Sequence, residues 1–362
     1  MDIMLYTFSE LDDELDIFFK TYEIEKLTVC PSEKITNLKP KEERVCRFCG
    51  LDYSQTTFKS KSHIISELLG NKYLISDFEC DICNALFGKH ENDLAAFLGM
   101  SRTILGVKNR DNKIPTFKSP GNLLVARRSE FYGIKEGIKV SREESAKGIF
   151  NIDVNSGRTE IKYQKQPYTP IKVYKALLKI ALSIIPEKYV ADYRHAFKYL
   201  FSDNDKLSDL AKVLHCELPY DYKVENPICF LFRKSDSTNR VLTHVFALYF
   251  QNYVFEFPIP LYKIDLDNNL YDGKFNFLLC PPLFSEPVIE SDFNEIIRDL
   301  SSNEKVVGEE EAIHFSFDPE VIKKLKAYNL STGEVTDDAL NKDDILGIYF
   351  APQDSKASFP ES

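Results

Sequence analysis

Two Cys-x-x-Cys pairs constrain this chain more than any other feature of its sequence. Cys46 and Cys49 form the first, Cys80 and Cys83 the second, with thirty residues between them. Each such turn brings two thiolates toward one point, and two turns supply the four sulfur ligands of a tetrahedral zinc. Four thiolates fill the coordination sphere, so the expected zinc is structural: it pins a segment too short to fold on apolar burial alone. A redox-active pair is the competing reading, but redox chemistry would need only one pair. Cys30, Cys216, Cys229 and Cys280 stand alone and read as buried thiols. Eight cysteines in 362 residues are too sparse for a disulfide scaffold. The acidic start MDIMLYTFSELDDELDIFFK lacks the basic opening of a secretory leader. No run approaches the roughly 18–20 apolar residues of a membrane span. The expectation is a cytoplasmic protein with reduced thiols and no membrane partner.

A formal net charge of −10 argues at first against a nucleic-acid partner. The charge is unevenly spread. Residues 41–128 carry 14 basic against 10 acidic residues, and the rest of the chain 32 against 46. From 102 to 128, Arg102, Lys108, Arg110, Lys113, Lys118, Arg127 and Arg128 face one acid, Asp111. Such a run is either ordinary surface or a phosphate track, and beside a nucleic-acid site the track is preferred.

The organisation expected is α+β. Residues 1–40 form a lead-in with a helix near 11–22, and 41–128 a zinc-stapled domain with its basic extension. Residues 129–285 form an α+β region that begins β-rich, to about 165. Within it Thr169, Pro170 and the spacing of Val173, Ala176, Leu177, Ile180, Ala181 and Ile184 predict a helix. Further helices are expected over 187–201 and 207–216, then strands over 228–232, 241–250 and 253–257. Residues 286–362, with 18 acids against 7 bases, read as an acidic end structured in part, around 321–325 and 345–350. His195, His215, His244 and His314 have no ligand-like neighbours and read as structural. Asp265, Asp267 and Asn269 hint at a calcium loop, but Leu270 and Asn276 stand where glycine and glutamate are needed, so a hairpin turn is expected. There is no phosphate-binding GxxxxGK[ST] loop and no dinucleotide fingerprint.

His63 lies between the cysteine pairs, and Asn84 follows Cys83 directly. Together with the turn Leu69-Gly70-Asn71 and Phe87-Gly88, this order resembles the HNH endonucleases, the zinc-stapled branch of the ββα-metal nucleases. The likeness covers about 41–100, about a sixth of the chain; the region after 129 resembles no known fold. It implies two strands and a helix around one Mg²⁺ or Mn²⁺, in addition to the structural zinc, and hydrolysis of DNA phosphodiesters, with RNA open. His63 becomes the general base, since neutral imidazole accepts a proton at physiological pH. Asn84 becomes a ligand of the catalytic metal, or a helix N-cap, or both. The resemblance also implies a bacterial defence role against foreign DNA.

Two positions depart from the family pattern. Ser62 stands where an acid or histidine often binds the metal, so Glu91, seven residues after Asn84 on the same helix face, and His90 are the replacement candidates. The central asparagine that orients the histidine has Asp77 as its nearest counterpart and Asn71 second. The alternative function is a zinc-stapled nucleic-acid-binding module without catalysis. The segment after 129 is expected to target, dimerise or regulate, through a ligand or a partner.

Overall fold

The computed structural model describes residues 4–34, 37–109, 111–131, 134–153, 155–202, 210–235, 240–271, 276–288, 293–316, 327–328, 335–336 and 345–351. The architecture is mixed helix and sheet, and the chain divides into two compact units. The first comprises residues 1–94 and 169–305, the second 95–168 and 306–362. These units cross the segment boundaries suggested by composition.

In the first unit a six-stranded antiparallel sheet runs in the order Tyr22–Val29, Val224–Lys234, His244–Gln251, Tyr253–Pro258, Lys212–Glu217, Asn294–Asp299. The central strands are apolar almost throughout because both their faces are covered, which removes the polar alternation of a half-exposed strand. Val245, Ala247 and Tyr249 enter a core with Phe8, Phe18, Tyr22, Phe230 and Phe232. On helix Pro170–Ile184 the Tyr174 ring packs 5.4 Å from Phe257, and its hydroxyl donates to Leu210 O. That helix is buried along nearly its whole length, Lys175 and Lys179 included.

Helices appear where the periodicity predicts them at Asp12–Thr21 and Pro170–Ile184. The stretch 187–201 is three pieces, Glu187–Val190, a 3-10 turn Ala191–Tyr193, and Arg194–Phe201. The helix expected over 207–216 is corrected. Residues 203–209 lie outside the described residues, and Lys212–Glu217 is a strand bonded on both sides, to Tyr253–Pro258 and Asn294–Asp299. Pairing with two neighbours overrides a weak local preference. Likewise 265–269 is neither a hairpin nor a calcium loop. Lys263–Asp267 is a short helix, and the buried Asp265 carboxylate accepts bonds from Thr243 N and Oγ1 at 3.0 and 2.6 Å.

The second unit holds the sheet Glu310–Ser316, Arg158–Gln164, Phe150–Asp153 and the sheet Gly347–Phe350, Ile134–Arg142, Leu124–Phe131, Phe117–Lys118. Its core includes Met100, Leu124, Val140, Ile161 and Tyr163. Lys165 is buried there between Glu309 and Glu311. The acidic end is therefore built in: Asn294–Asp299, Glu310–Ser316 and Gly347–Phe350 each complete a sheet. The expected element at 321–325 lies outside the described residues.

Candidate metal centre and nuclease site

The first cysteine turn closes through Gly50, whose backbone sits at φ 77° and whose N–H bonds Cys46 O at 2.8 Å. The second pair lies at the start of helix Asp81–Phe97. Arg47 N bonds Phe78 O at 2.8 Å, joining the two turns. As a result all four cysteine sulfurs lie within 4.8 Å of one another, with Cys46–Cys83 and Cys49–Cys80 at 3.7 Å. Sulfurs about 2.3 Å from a tetrahedral zinc are about 3.8 Å apart. The donor set and its spacing thus fit zinc with no open coordination position. The hydrogen bond shared with Cys83 pulls the Cys46 thiol down to about 5 and pushes Cys83 up.

His63 ends a two-residue strand, Ser62–His63, paired with Ile75–Ser76. The segment leading into it is held by Asp81, which accepts bonds from Thr57 Oγ1, Lys59 N at 3.0 Å and Ser60 N at 2.7 Å. Burial pushes the Asp81 carboxyl up, but these bonds outweigh it and hold the group at about 2. Past His63, a 3-10 turn Glu67–Leu69 ends at Gly70, in the left-handed region at φ 95°. Buried Asn71 then closes the connection. Its Nδ2 donates to Ile65 O at 2.6 Å and Leu74 O at 3.0 Å, and its Oδ1 accepts from Tyr73 N at 3.2 Å and Leu74 N at 2.9 Å.

The structure places the two candidates for the bracing role in different surroundings. The Asp77 carboxylate accepts Lys39 N–H at 3.0 Å, whereas Asn71 clasps the loop that follows His63. The imidazole of His63 is largely buried and lies 3.5 Å from Glu67 through Nε2. Burial and then the Lys179 charge hold its pKa below the usual histidine range; the Lys72 carbonyl and the Glu91 carboxylate oppose them.

On helix Asp81–Phe97, Cys83, Phe87, His90 and Leu94 face inward, while Asn84, Gly88 and Glu91 share a partly exposed face. A Cβ at Gly88 would meet nothing within 4 Å, so there is room between Asn84 and Glu91. Asn84 is the fourth residue of the helix, and its N–H already bonds Cys80 O, so it is not the N-cap. His90 faces the other way. It is pushed down to about 4 by burial and by Lys175, and neither ring nitrogen finds a hydrogen-bond partner of good geometry. Ser62 is buried and its hydroxyl donates to Glu79 O at 3.4 Å, so it presents no ligand.

The basic candidates belong to the second unit. Lys108, Lys113 and Lys118 are exposed, whereas Arg102 is largely out of water, which lowers its pKa. Arg110 lies outside the described residues. The sequence reading missed the pair Glu79 and Lys179, which meet at 2.9 Å with side chains 0% and 3% exposed. A signal existed: past Lys172 in the first turn, Lys175 and Lys179, four apart, interrupt a largely apolar helix.

Four clustered cysteines, a pair of two-residue strands and one helix define a small ββα domain. Residues 46–96 match the family model described as HNH endonuclease, and this segment of the chain is an HNH domain. No curated protein and no solved structure gives a significant match to the chain.

Proposed function

We propose that the protein is an endonuclease that hydrolyses DNA phosphodiesters with His63 as general base. The observation that carries this reading is the state of His63. Its pKa is held below the usual range, so the ring is neutral at physiological pH, and the Lys72 carbonyl takes one ring N–H. The other ring nitrogen keeps its lone pair and accepts the proton of the attacking water. Asn84 and Glu91 offer oxygen donors on one open helix face, a set suited to a hard cation such as Mg²⁺ or Mn²⁺. When bound, that cation would stabilise charge on the phosphate and the leaving oxygen. The exposed Lys61 and Lys72 flank His63, and Lys108, Lys113 and Lys118 add positive surface that favours a phosphate backbone. Cleavage of foreign DNA in bacterial defence belongs to this reading on family resemblance alone, and a phage-plating assay tests it.

Buried Ser62 favours a second reading, binding without catalysis, because the strand brings no metal ligand ahead of His63. A plasmid-nicking assay with Mg²⁺ or Mn²⁺ separates the two. The nuclease reading expects His63→Ala to lower kcat by about 10²–10⁴-fold, the usual worth of a general base, while DNA affinity persists. Equal inertness of wild type and His63→Ala, with both binding DNA, would establish the second reading.

A further inference from the structure

Helix Pro170–Ile184 lies outside the matched segment, yet three contacts fasten it to the site. At its start, the Asp93 carboxylate accepts Thr169 N–H at 2.6 Å. At its end, Arg47, from within the first cysteine pair, donates to Ser183 O at 2.9 Å and Ile185 O at 3.1 Å. Midway, Lys179 Nζ donates to His63 O at 2.6 Å and pairs with Glu79. The same ammonium lies 5.9 Å from the centre of the Phe87 ring.

An apolar residue would suit this helix face at far lower desolvation cost, since an ion pair taken out of water is often no more stable than a hydrophobic replacement. The buried charge therefore calls for a local reason. His63 stands on a strand of two residues, too short to fix a side chain's direction by ladder bonds alone. A charge-assisted bond to its own carbonyl fixes the backbone from which the imidazole projects. Glu79, in the segment Phe78–Cys80 between the strand Ile75–Ser76 and the helix, supplies the countercharge.

We propose that Lys179 is a positioning residue for His63: it holds the base in its working orientation from an element outside the HNH segment. The inference rests on the nuclease reading above. Lys179→Met alone strands the buried Glu79 charge, so the informative variant is the full-length double substitution Lys179→Met/Glu79→Gln, which removes both charges together. Zinc content should stay at one per chain and KM for plasmid DNA within about threefold of wild type. Because a misplacement of about 1 Å can cost 10²-fold, kcat should fall by about 10–100-fold. Hydrogen exchange at the Ile64 amide, bonded to Leu74 O in the hairpin, should quicken. If Lys179 serves only to neutralise Glu79, the double variant recovers kcat to within about threefold of wild type, and the proposal is overturned. A wild type that never cleaves would defeat the nuclease reading instead; unchanged exchange at Ile64 in the double variant would then still overturn the positioning role.

Discussion

The central strands His244–Gln251 and Tyr253–Pro258 and the segment 46–97 draw on different forces, though most of that segment shares their unit. The strands are long, paired on both sides and buried on both faces, with Phe246 opposite Phe257 and Leu248 opposite Phe255. Apolar area removed from water suffices to hold them. The segment 46–97 has two strands of two residues each and holds His63 by polar means: four thiols, the Asn71 clasp, the Asp81 turn and the Lys179 contact. The difference teaches that the site is ordered by specific donors and acceptors rather than by a core, so single polar substitutions should act there far more strongly than their size suggests. It also means that cutting the chain after residue 128 removes Thr169, Lys179 and Ser183, and with them the brace. Such a truncation tests the folding of the site rather than regulation by the segment beyond it.

Removal of zinc is the largest perturbation that separates the two regions. Structural zinc contributes roughly 10–16 kcal/mol in small zinc-finger peptides, and the metal must come out before the cysteines can part. Stripping the metal with a strong chelator should abolish nicking and expose the amides of 46–84 to exchange, while the strands 244–258 stay protected. Cys46→Ser and Cys83→Ser should each act in the same way. Equal loss of protection in both regions would show a single cooperative unit, and the contrast between metal-held and core-held parts would fail.

Asn71→Ala probes the same contrast without touching the metal. It leaves Ile65 O, Leu74 O, Tyr73 N and Leu74 N without their side-chain partner. At about 1–3 kcal/mol for each buried group left unsatisfied, partly relieved by water, a local cost of about 2–4 kcal/mol is expected. Exchange at the Ile64 amide should speed by about 30-fold or more, with zinc retained. Asn71→Asp keeps the two acceptor bonds and loses both donors, so its effect should be intermediate. An exchange rate at Ile64 unaffected by Asn71→Ala would mean that the clasp contributes nothing to the hairpin.

Much of the site was legible because its chemistry is local. The CxxC spacing gives the cysteine cluster, and the order His63, Asn71, Cys83, Asn84 gives the ββα segment. Sequence order ranks Asp77 ahead of Asn71 as the bracing candidate, but separation along the chain says nothing about which side chain turns inward at a loop closed by Gly70, and there it is Asn71 that is buried. Lys179 and Glu79 lie 100 residues apart, and only the packed helix brings Lys179 to that carboxylate and to the His63 carbonyl. The helix Pro170–Ile184 and the central strands follow from hydrophobic periodicity. Lys212–Glu217 does not, since its conformation is set by strands on either side rather than by its own residues. The net charge of −10 hid the structural part played by the acidic end, whose Glu309 and Glu311 flank buried Lys165.

Acid should weaken both regions through different groups, and one buried histidine lets the sheet's share be measured. His244 is fully buried, its Nδ1 lies 2.9 Å from the Tyr193 hydroxyl, and burial pushes its pKa down to about 3. In the unfolded chain it titrates near 6.5. Between those values the unfolded state holds the extra proton, so stability rises with pH through this window and is fully present above 6.5. At pH 5.5 the loss from this group is about 1.4 kcal/mol and grows as pH falls further. Glu256 and Asp265, raised by burial, act in the opposite sense as pH rises through the carboxylate range, because the folded state keeps their protons longer. The total slope therefore mixes signs, and the difference between wild type and His244→Phe isolates one group. The variant loses the Tyr193 contact at every pH, a constant offset. Its stability should fall less steeply than wild type between pH 6.5 and 4, as read by urea unfolding followed through tyrosine fluorescence. Parallel curves would place the acid sensitivity of the sheet elsewhere and leave the thiolates of the metal-held segment as the group that acid attacks first.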